Sequence, residues 1–188
     1  MLKQLLFQEE FFQSWNKKKL QTRNYISDFL KISKNKVIFY EHHFSHAASS
    51  YYCSNFENSD IFTLDGVGEW CTSTFGHAEG LNLFRTQSVD FPHSLGLLYS
   101  AFTEFLGFEV NEGEFKVMGM APYGKPKYLD KIDKLFISNG PDFVLNLEYF
   151  NFDIDSNTNL TSKFLEEFGE RRSPNDAFLI EKYKYDLE

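Results

Sequence analysis

Between Ile61 and Val89 the chain reverses twice at glycine, and the three runs this creates are rich in β-branched, aromatic and small residues. Ile61-Phe62-Thr63-Leu64-Asp65 reads as a strand and Gly66-Val67-Gly68 as a tight turn. Glu69 to Gly76 then reads as a returning strand. Gly80 turns the chain again, and Leu81 to Val89 makes the third run. Strands joined this closely pair antiparallel with their neighbours, so a three-stranded meander is expected.

The flanks are helical. Residues 2–16 and about 22–33 carry apolar residues at helical spacing. Val37-Ile38-Phe39-Tyr40 reads as a short buried strand, Glu41 ends it, and a short helix follows through Tyr52. Ser54–Ser59 reads as a loop. After the meander, Ser94 is a good N-cap for a helix running to about Leu106, which Gly107 stops. Gly113 to Gly124 reads as a short helix or turn and then a loop. A helix near 128–137, a strand at Phe143-Val144-Leu145 and a polar stretch at 153–162 complete the pattern. The fold class is mixed α/β, and 188 residues suit one medium domain or two lobes of a larger one.

Apolar residues make up 42% of the chain and Phe occurs 22 times, which supplies a core and excludes a disordered chain. The net charge of −8 argues against a general nucleic-acid binder. The charge is uneven. Residues 1–40 carry eight basic and three acidic residues, and the remainder 11 basic and 24 acidic. The basic opening reads as a solvated helical surface.

Two cysteines, Cys53 and Cys71, exclude a disulfide scaffold and fit a reduced, cytoplasmic setting, although two could also pair in an exported protein. The longest mostly apolar stretch, Leu95 to Phe108, is interrupted by polar residues and too short to span a bilayer. No signal-peptide pattern opens the sequence. Neither nucleic acid nor membrane is expected as a partner.

The sharpest chemical feature is Glu41-His42-His43-Phe44-Ser45-His46-Ala47, with three of the five histidines within five residues. If a helix opens at His42, then His42 and His46 sit one turn apart and share a face. Two imidazoles at that spacing offer nitrogen donors to a transition metal, and a carboxylate from elsewhere is needed to complete the set. The competing reading is a surface or capping histidine cluster. His43 points away, toward substrate or into packing.

A second feature, Leu64-Asp65-Gly66-Val67-Gly68-Glu69-Trp70, could bring backbone N–H groups close to a phosphate, with Asp65 holding a metal. Taken alone, an ordinary glycine hairpin explains it better. A third, Gly107 through Gly124, scatters acidic residues and Lys116 among glycines and apolar residues. It suits either a ribose or phosphate loop or a charged surface loop.

Three blocks stand in order: His42-His43-Phe44-Ser45-His46-Ala47; Leu64 to Trp70; and Phe91-Pro92-His93-Ser94-Leu95-Gly96-Leu97-Leu98-Tyr99 running into Gly113-Glu114-Phe115-Lys116-Val117-Met118-Gly119. Together they resemble the carbamoyltransferases of the nodulation-protein-U and cephalosporin/tobramycin type, well over roughly 36–150 and loosely beyond. That resemblance implies part of a two-lobed actin-like ATPase (ASKHA) fold, similar to the tRNA threonylcarbamoyl-transferase domain. Residues 1–56 would end the first lobe and 57–188 begin the second.

The resemblance also implies the chemistry. A carbamoyl-adenylate made from carbamoyl phosphate and ATP in a separate C-terminal domain, where Mg(2+) is expected, gives its carbamoyl group to a hydroxyl of a small molecule or sugar. Fe(2+), or another divalent transition metal, would be held by His42, His46 and Asp65. Gly66, Val67, Gly68 and Glu69 would line a phosphate turn. Asn111, Glu114 and Lys116 would lie near nucleotide or acceptor, and His43 is the candidate general base.

This sequence lacks the family's opening strand-hairpin, its later metal-binding Asp and glycine-rich nucleotide loop, and the adenylate-forming domain. The expectation is therefore a fragment or split-gene product that binds metal weakly. The alternative is a non-enzymatic module needing a second chain with the missing parts.

Overall fold

The meander is the centre of the computed structural model, which describes residues 21–138, 140, 142–152 and 158–176. Strands β1 (Asn58–Gly68), β2 (Cys71–Glu79) and β3 (Asn82–Asp90) pair antiparallel in that order. The register runs Phe62↔Phe75↔Gln87 and ends at Glu79↔Asn82. Gly80 carries the positive φ of +58° that the β2–β3 turn requires. Phe62 and Phe75 stack across the first pair with ring centroids 4.6 Å apart, the type of cross-strand contact that pins a register.

The described residues fall into two compact units, one ending at Tyr40 and one beginning at Glu41. In the first, helix α1 (Thr22–Leu30) ends on Lys31, whose left-handed backbone lets its N–H close on Ser27 O. A 3-10 turn follows at Lys34–Lys36. The strand expected at Val37–Tyr40 is not formed. Val37 is buried, but Ile38, Phe39 and Tyr40 are exposed, and no strand among the described residues pairs with them. A short apolar run does not by itself distinguish strand from loop; a ladder partner is what makes it a strand. The expected helix at 2–16 lies outside the described residues.

In the second unit, helix α2 (His42–Tyr51) lies against β1 and β2. The Tyr51 hydroxyl hydrogen-bonds to Glu57 O at 2.7 Å and Gly80 O at 2.9 Å, tying the helix end to the sheet. Helix α3 (Leu95–Phe105) starts where expected, with the Ser94 hydroxyl accepting from Leu97 N–H. Gly107, at φ +76°, turns the chain just beyond its end.

Helix α4 (Glu114–Met120) and a 3-10 turn (Ala121–Tyr123) occupy the expected short-helix segment. The helix expected near 128–137 is shorter, α5 (Leu129–Asp133). Phe136–Ser138 is instead strand β4, paired with β5 (Val144–Leu145). Helix α6 (Ser162–Phe168), unforeseen in the sequence, starts at a Thr161 cap.

The apolar core gathers Ala101 of α3 with Leu135, Tyr149, Phe150, Leu160 and Phe164. Phe164 is fully buried and edge-packed on Phe102 and Phe105 at 5.3 and 5.4 Å. Phe102, Phe105, Phe136, Phe150, Phe152, Phe164 and Phe168 thus gather in one aromatic cluster beside α3. Buried Glu104 sits at its margin. It accepts from Thr158 Oγ1 (2.6 Å), Asn159 N and Nδ2 (2.9 and 3.0 Å) and Arg171 Nη1 (3.0 Å).

Candidate metal centre

His42 and His46 leave the same side of α2, as i, i+4 residues do. Their Nε2 atoms are 3.0 Å apart. Facing them is Asp65, whose Oδ2 lies 2.5 Å from His42 Nε2 and 3.4 Å from His46 Nε2. Its other oxygen, Oδ1, accepts the Gly66 N–H at 2.7 Å, which leaves Oδ2 for the imidazoles.

The position of Asp65 follows from an irregularity in β1. The β1–β2 ladder is regular as far as Leu64↔Ser73 and resumes at Gly68↔Cys71, so Asp65, Gly66 and Val67 stand opposite Thr72 alone. Bulges of this kind bend a strand and re-aim its side chains. The tight turn expected at Gly66-Val67-Gly68 is therefore part of β1. The reversal falls at Glu69-Trp70, where Glu69 takes φ +65°. Gly68 is required for another reason. A Cβ there would stand 2.4 Å from His42 Cδ2 and 2.8 Å from His43 Nε2, so the strand backbone fits directly under the two rings.

Burial pushes the Asp65 carboxyl upward. Hydrogen bonds from His42 and from the Gly66 N–H outweigh it and hold the group below the ordinary aspartate value. The site is open to solvent, with the His42 and His46 side chains 41% and 52% exposed and Asp65 34%.

All three donor atoms lie within 4.8 Å of one another. Two imidazole nitrogens and one carboxylate oxygen suit a divalent first-row transition metal with open positions. Metal–ligand bonds of about 2.1 Å place neighbouring donors roughly 3.0–3.4 Å apart, and two of the three edges already have that length. The shorter His42–Asp65 edge is spanned by a proton, the one that a binding metal displaces. The residues present fit such an ion.

His43 has another place. It is 2% exposed, with Nδ1 2.8 Å from Thr63 Oγ1 and Nε2 3.0 Å from Cys71 O. A carbonyl can only accept, so Nε2 carries a proton, and in the neutral ring Nδ1 accepts from Thr63. Thr63 Oγ1 in turn meets Thr74 Oγ1 at 2.6 Å. Both ring nitrogens are thus engaged inside the sheet–helix contact, and neither faces solvent. In this arrangement His43 locks α2 onto β1 and β2.

Asn111, Glu114 and Lys116 gather at the α3–α4 junction. Glu114 Oε1 accepts from Ser100 Oγ and from Asn111 N–H, each at 3.0 Å, and Asn111 takes φ +71°. Lys116 Nζ lies over the rings of Phe108 and Phe115 at 5.7 and 5.8 Å. These described contacts join the three residues to α3 and their own turn, not to His42, His46 or Asp65.

Sequence reasoning missed one ion pair beside the centre. Arg85 of β3 pairs with Glu41, the residue immediately before His42. Glu41 also anchors the first turn of α2, its carbonyl accepting the Ser45 N–H at 2.9 Å. No local signal marks a pair separated by 44 residues.

Residues 2–181 match the family described as carbamoyltransferase N-terminus. The chain belongs to that family. Over 141 residues this carbamoyltransferase domain is 48% identical to an uncharacterized protein of Synechocystis, covering 73% of the chain and 23% of the relative. It is 36% identical over 96 residues to Nodulation protein NolNO of Sinorhizobium fredii, covering 51% of the chain and 14% of the relative. Nodulation protein NolO of Bradyrhizobium diazoefficiens is 40% identical over 97 residues, with 50% of the chain and 17% of the relative covered. The chain therefore spans less than a quarter of the length of these curated relatives. Among the described residues, no helix is long and apolar enough to cross a membrane.

Proposed function

We propose that this domain holds the transfer site of an ATP-dependent O-carbamoyltransferase. The observation that carries the reading is the convergence of His42 Nε2, His46 Nε2 and Asp65 Oδ2 on one point, in a chain of the carbamoyltransferase family. The reaction passes a carbamoyl group from a carbamoyl-adenylate, made from carbamoyl phosphate and ATP elsewhere in the full enzyme with Mg(2+), to a hydroxyl of a small molecule or sugar. The acceptor oxygen bonds to the carbamoyl carbon, the carbon–oxygen bond to the phosphate breaks, and AMP leaves with the electron pair. The hydroxyl proton passes to a base.

In this reading His42, His46 and Asp65 hold Fe(2+) or another divalent transition metal, which supplies charge neutralisation to the leaving phosphate when bound. Gly66, Val67, Gly68 and Glu69 are proposed to line the phosphate turn, with the Gly66 N–H kept on Asp65 Oδ1 and the later backbone N–H groups left for the phosphate. Asn111, Glu114 and Lys116 are proposed on the nucleotide or acceptor side. The engagement of His43 in the core favours a base from outside this residue. The two-lobed actin-like fold, with residues 1–56 closing one lobe and 57–188 opening the next, belongs to this proposal, as does a cytoplasmic setting.

The alternative reading is non-enzymatic for the domain alone. In it, the domain is a module that turns over only with a partner chain supplying the remaining parts. Acceptor-dependent AMP release from carbamoyl-adenylate, measured with and without the adenylating region, separates the two. Release that is unchanged in His42→Ala, or independent of any acceptor, overturns carbamoyl transfer at this site.

A further inference from the structure

The segment Ser94-Leu95-Gly96 that starts α3 sits directly on the backbone of Asp65. Ser94 is fully buried. Its hydroxyl donates to Gly66 O at 2.6 Å, with Asp65 O at 3.1 Å, while accepting the Leu97 N–H at 3.0 Å. Two residues on, a Cβ at Gly96 would stand 2.5 Å from Asp65 O and 2.6 Å from Gly66 N. The first turn of α3 therefore presses against the Asp65–Gly66 peptide without a side chain between them.

That peptide lies where the β1–β2 ladder is interrupted, so neighbouring-strand pairing does not hold it in register. The same Gly66 N–H that grips Asp65 Oδ1 belongs to it. Whatever fixes this peptide fixes the direction of Asp65 Oδ2.

We propose that Ser94, seated by the bare backbone of Gly96, is the positioning residue that aims Asp65 at His42 and His46. The inference rests on the reading of those three residues as a metal site. Outer partners that orient a ligand typically change metal affinity about 10–100-fold when removed.

The test is titration of the full chain with Co(2+), followed by the cobalt absorption bands and by calorimetry, beside thermal unfolding. Ser94→Gly keeps most of the helix start, because glycine is a tolerable N-cap, but removes the donor to Gly66 O. Gly96→Ala leaves the cap intact and forces the helix off the peptide. Each is expected to weaken Co(2+) about tenfold or more and to change the band pattern. Ser94→Thr, which retains the hydroxyl, restores both.

Thr161→Ala removes the cap of α6 and lowers stability without moving cobalt affinity. If His42→Ala binds Co(2+) as tightly as the unaltered chain, the metal reading fails and this inference with it. If His42→Ala loses Co(2+) while folded Ser94→Gly and Gly96→Ala keep it, only the positioning role is overturned. Should Ser94→Gly fail to fold, Gly96→Ala decides alone.

Discussion

The Nε2 atoms of His42 and His46 lie 3.0 Å apart, closer than two ring N–H groups could approach if both were protonated there. One ring must therefore present a lone pair to the space they share with Asp65. His42→Ala or His46→Ala is expected to lower Co(2+) or Fe(2+) affinity strongly, because two donors remain where three stood. Equilibrium metal titration checks this, and affinity in both variants equal to that of the unaltered chain would remove the assignment.

Gly68 allows the strand to pass beneath those rings. Gly68→Ala places a methyl well inside van der Waals contact distance of His42 Cδ2 and His43 Nε2. The expected cost is about 1–3 kcal/mol of stability, together with weakened metal binding. Urea unfolding and cobalt titration of the same sample measure the two effects.

Glu114 predicts a pH dependence. Burial raises its carboxyl, but hydrogen bonds from the Asn111 N–H and from Ser100, together with other backbone bonds, outweigh it and leave the group below the ordinary glutamate value. The folded state thus binds the proton less readily than the unfolded chain. The resulting stabilisation is complete above the ordinary glutamate range and is lost as pH falls through the lowered folded value. Glu114→Gln is expected to flatten the acid limb of the stability curve. A limb of unchanged steepness in unfolding midpoints between neutral and strongly acid pH would contradict this.

Glu104 is a buried carboxylate with four donors aimed at it. Glu104→Ala leaves the Asn159 N–H and the Thr158 hydroxyl without their acceptor and is expected to destabilise by about 3 kcal/mol or more. Chemical denaturation measures the loss. Hydrogen exchange at Asn159 reports whether the loop opens first.

Much of this arrangement was legible before any coordinates. The glycine punctuation of the meander, the Ser94 cap and the i, i+4 relation of His42 to His46 are local signals, and local physics decides them. Asp65 stood out as a possible metal holder from its own strand-end segment, but its grouping with His42 and His46 came through the family resemblance, since nothing in the spacing of residues 46 to 65 says that a strand end faces a helix start. The Gly-x-Gly segment misled because glycine serves both turns and close backbone approach. At Gly68 it is approach, and the left-handed turn position went to Glu69.

Val37–Tyr40 looked like a strand because apolar β-branched and aromatic residues cluster there, but strand formation needs a partner the sequence does not name. Helix α6 did carry a signal, the Thr161 cap followed by Phe164 and Phe168 four apart. The surrounding polar stretch obscured it.

The interruption of β1 between Leu64 and Gly68 makes the centre depend on length as much as on residue type. Side chains on a strand alternate sides, so removing one residue from this segment, which leaves two residues opposite Thr72 instead of three, changes which face the carboxylate meets. Such a chain would keep His42, His46 and an aspartate, score almost unchanged in identity, and have no centre. A one-residue indel here is expected to cost the three-residue cluster more than most substitutions nearby.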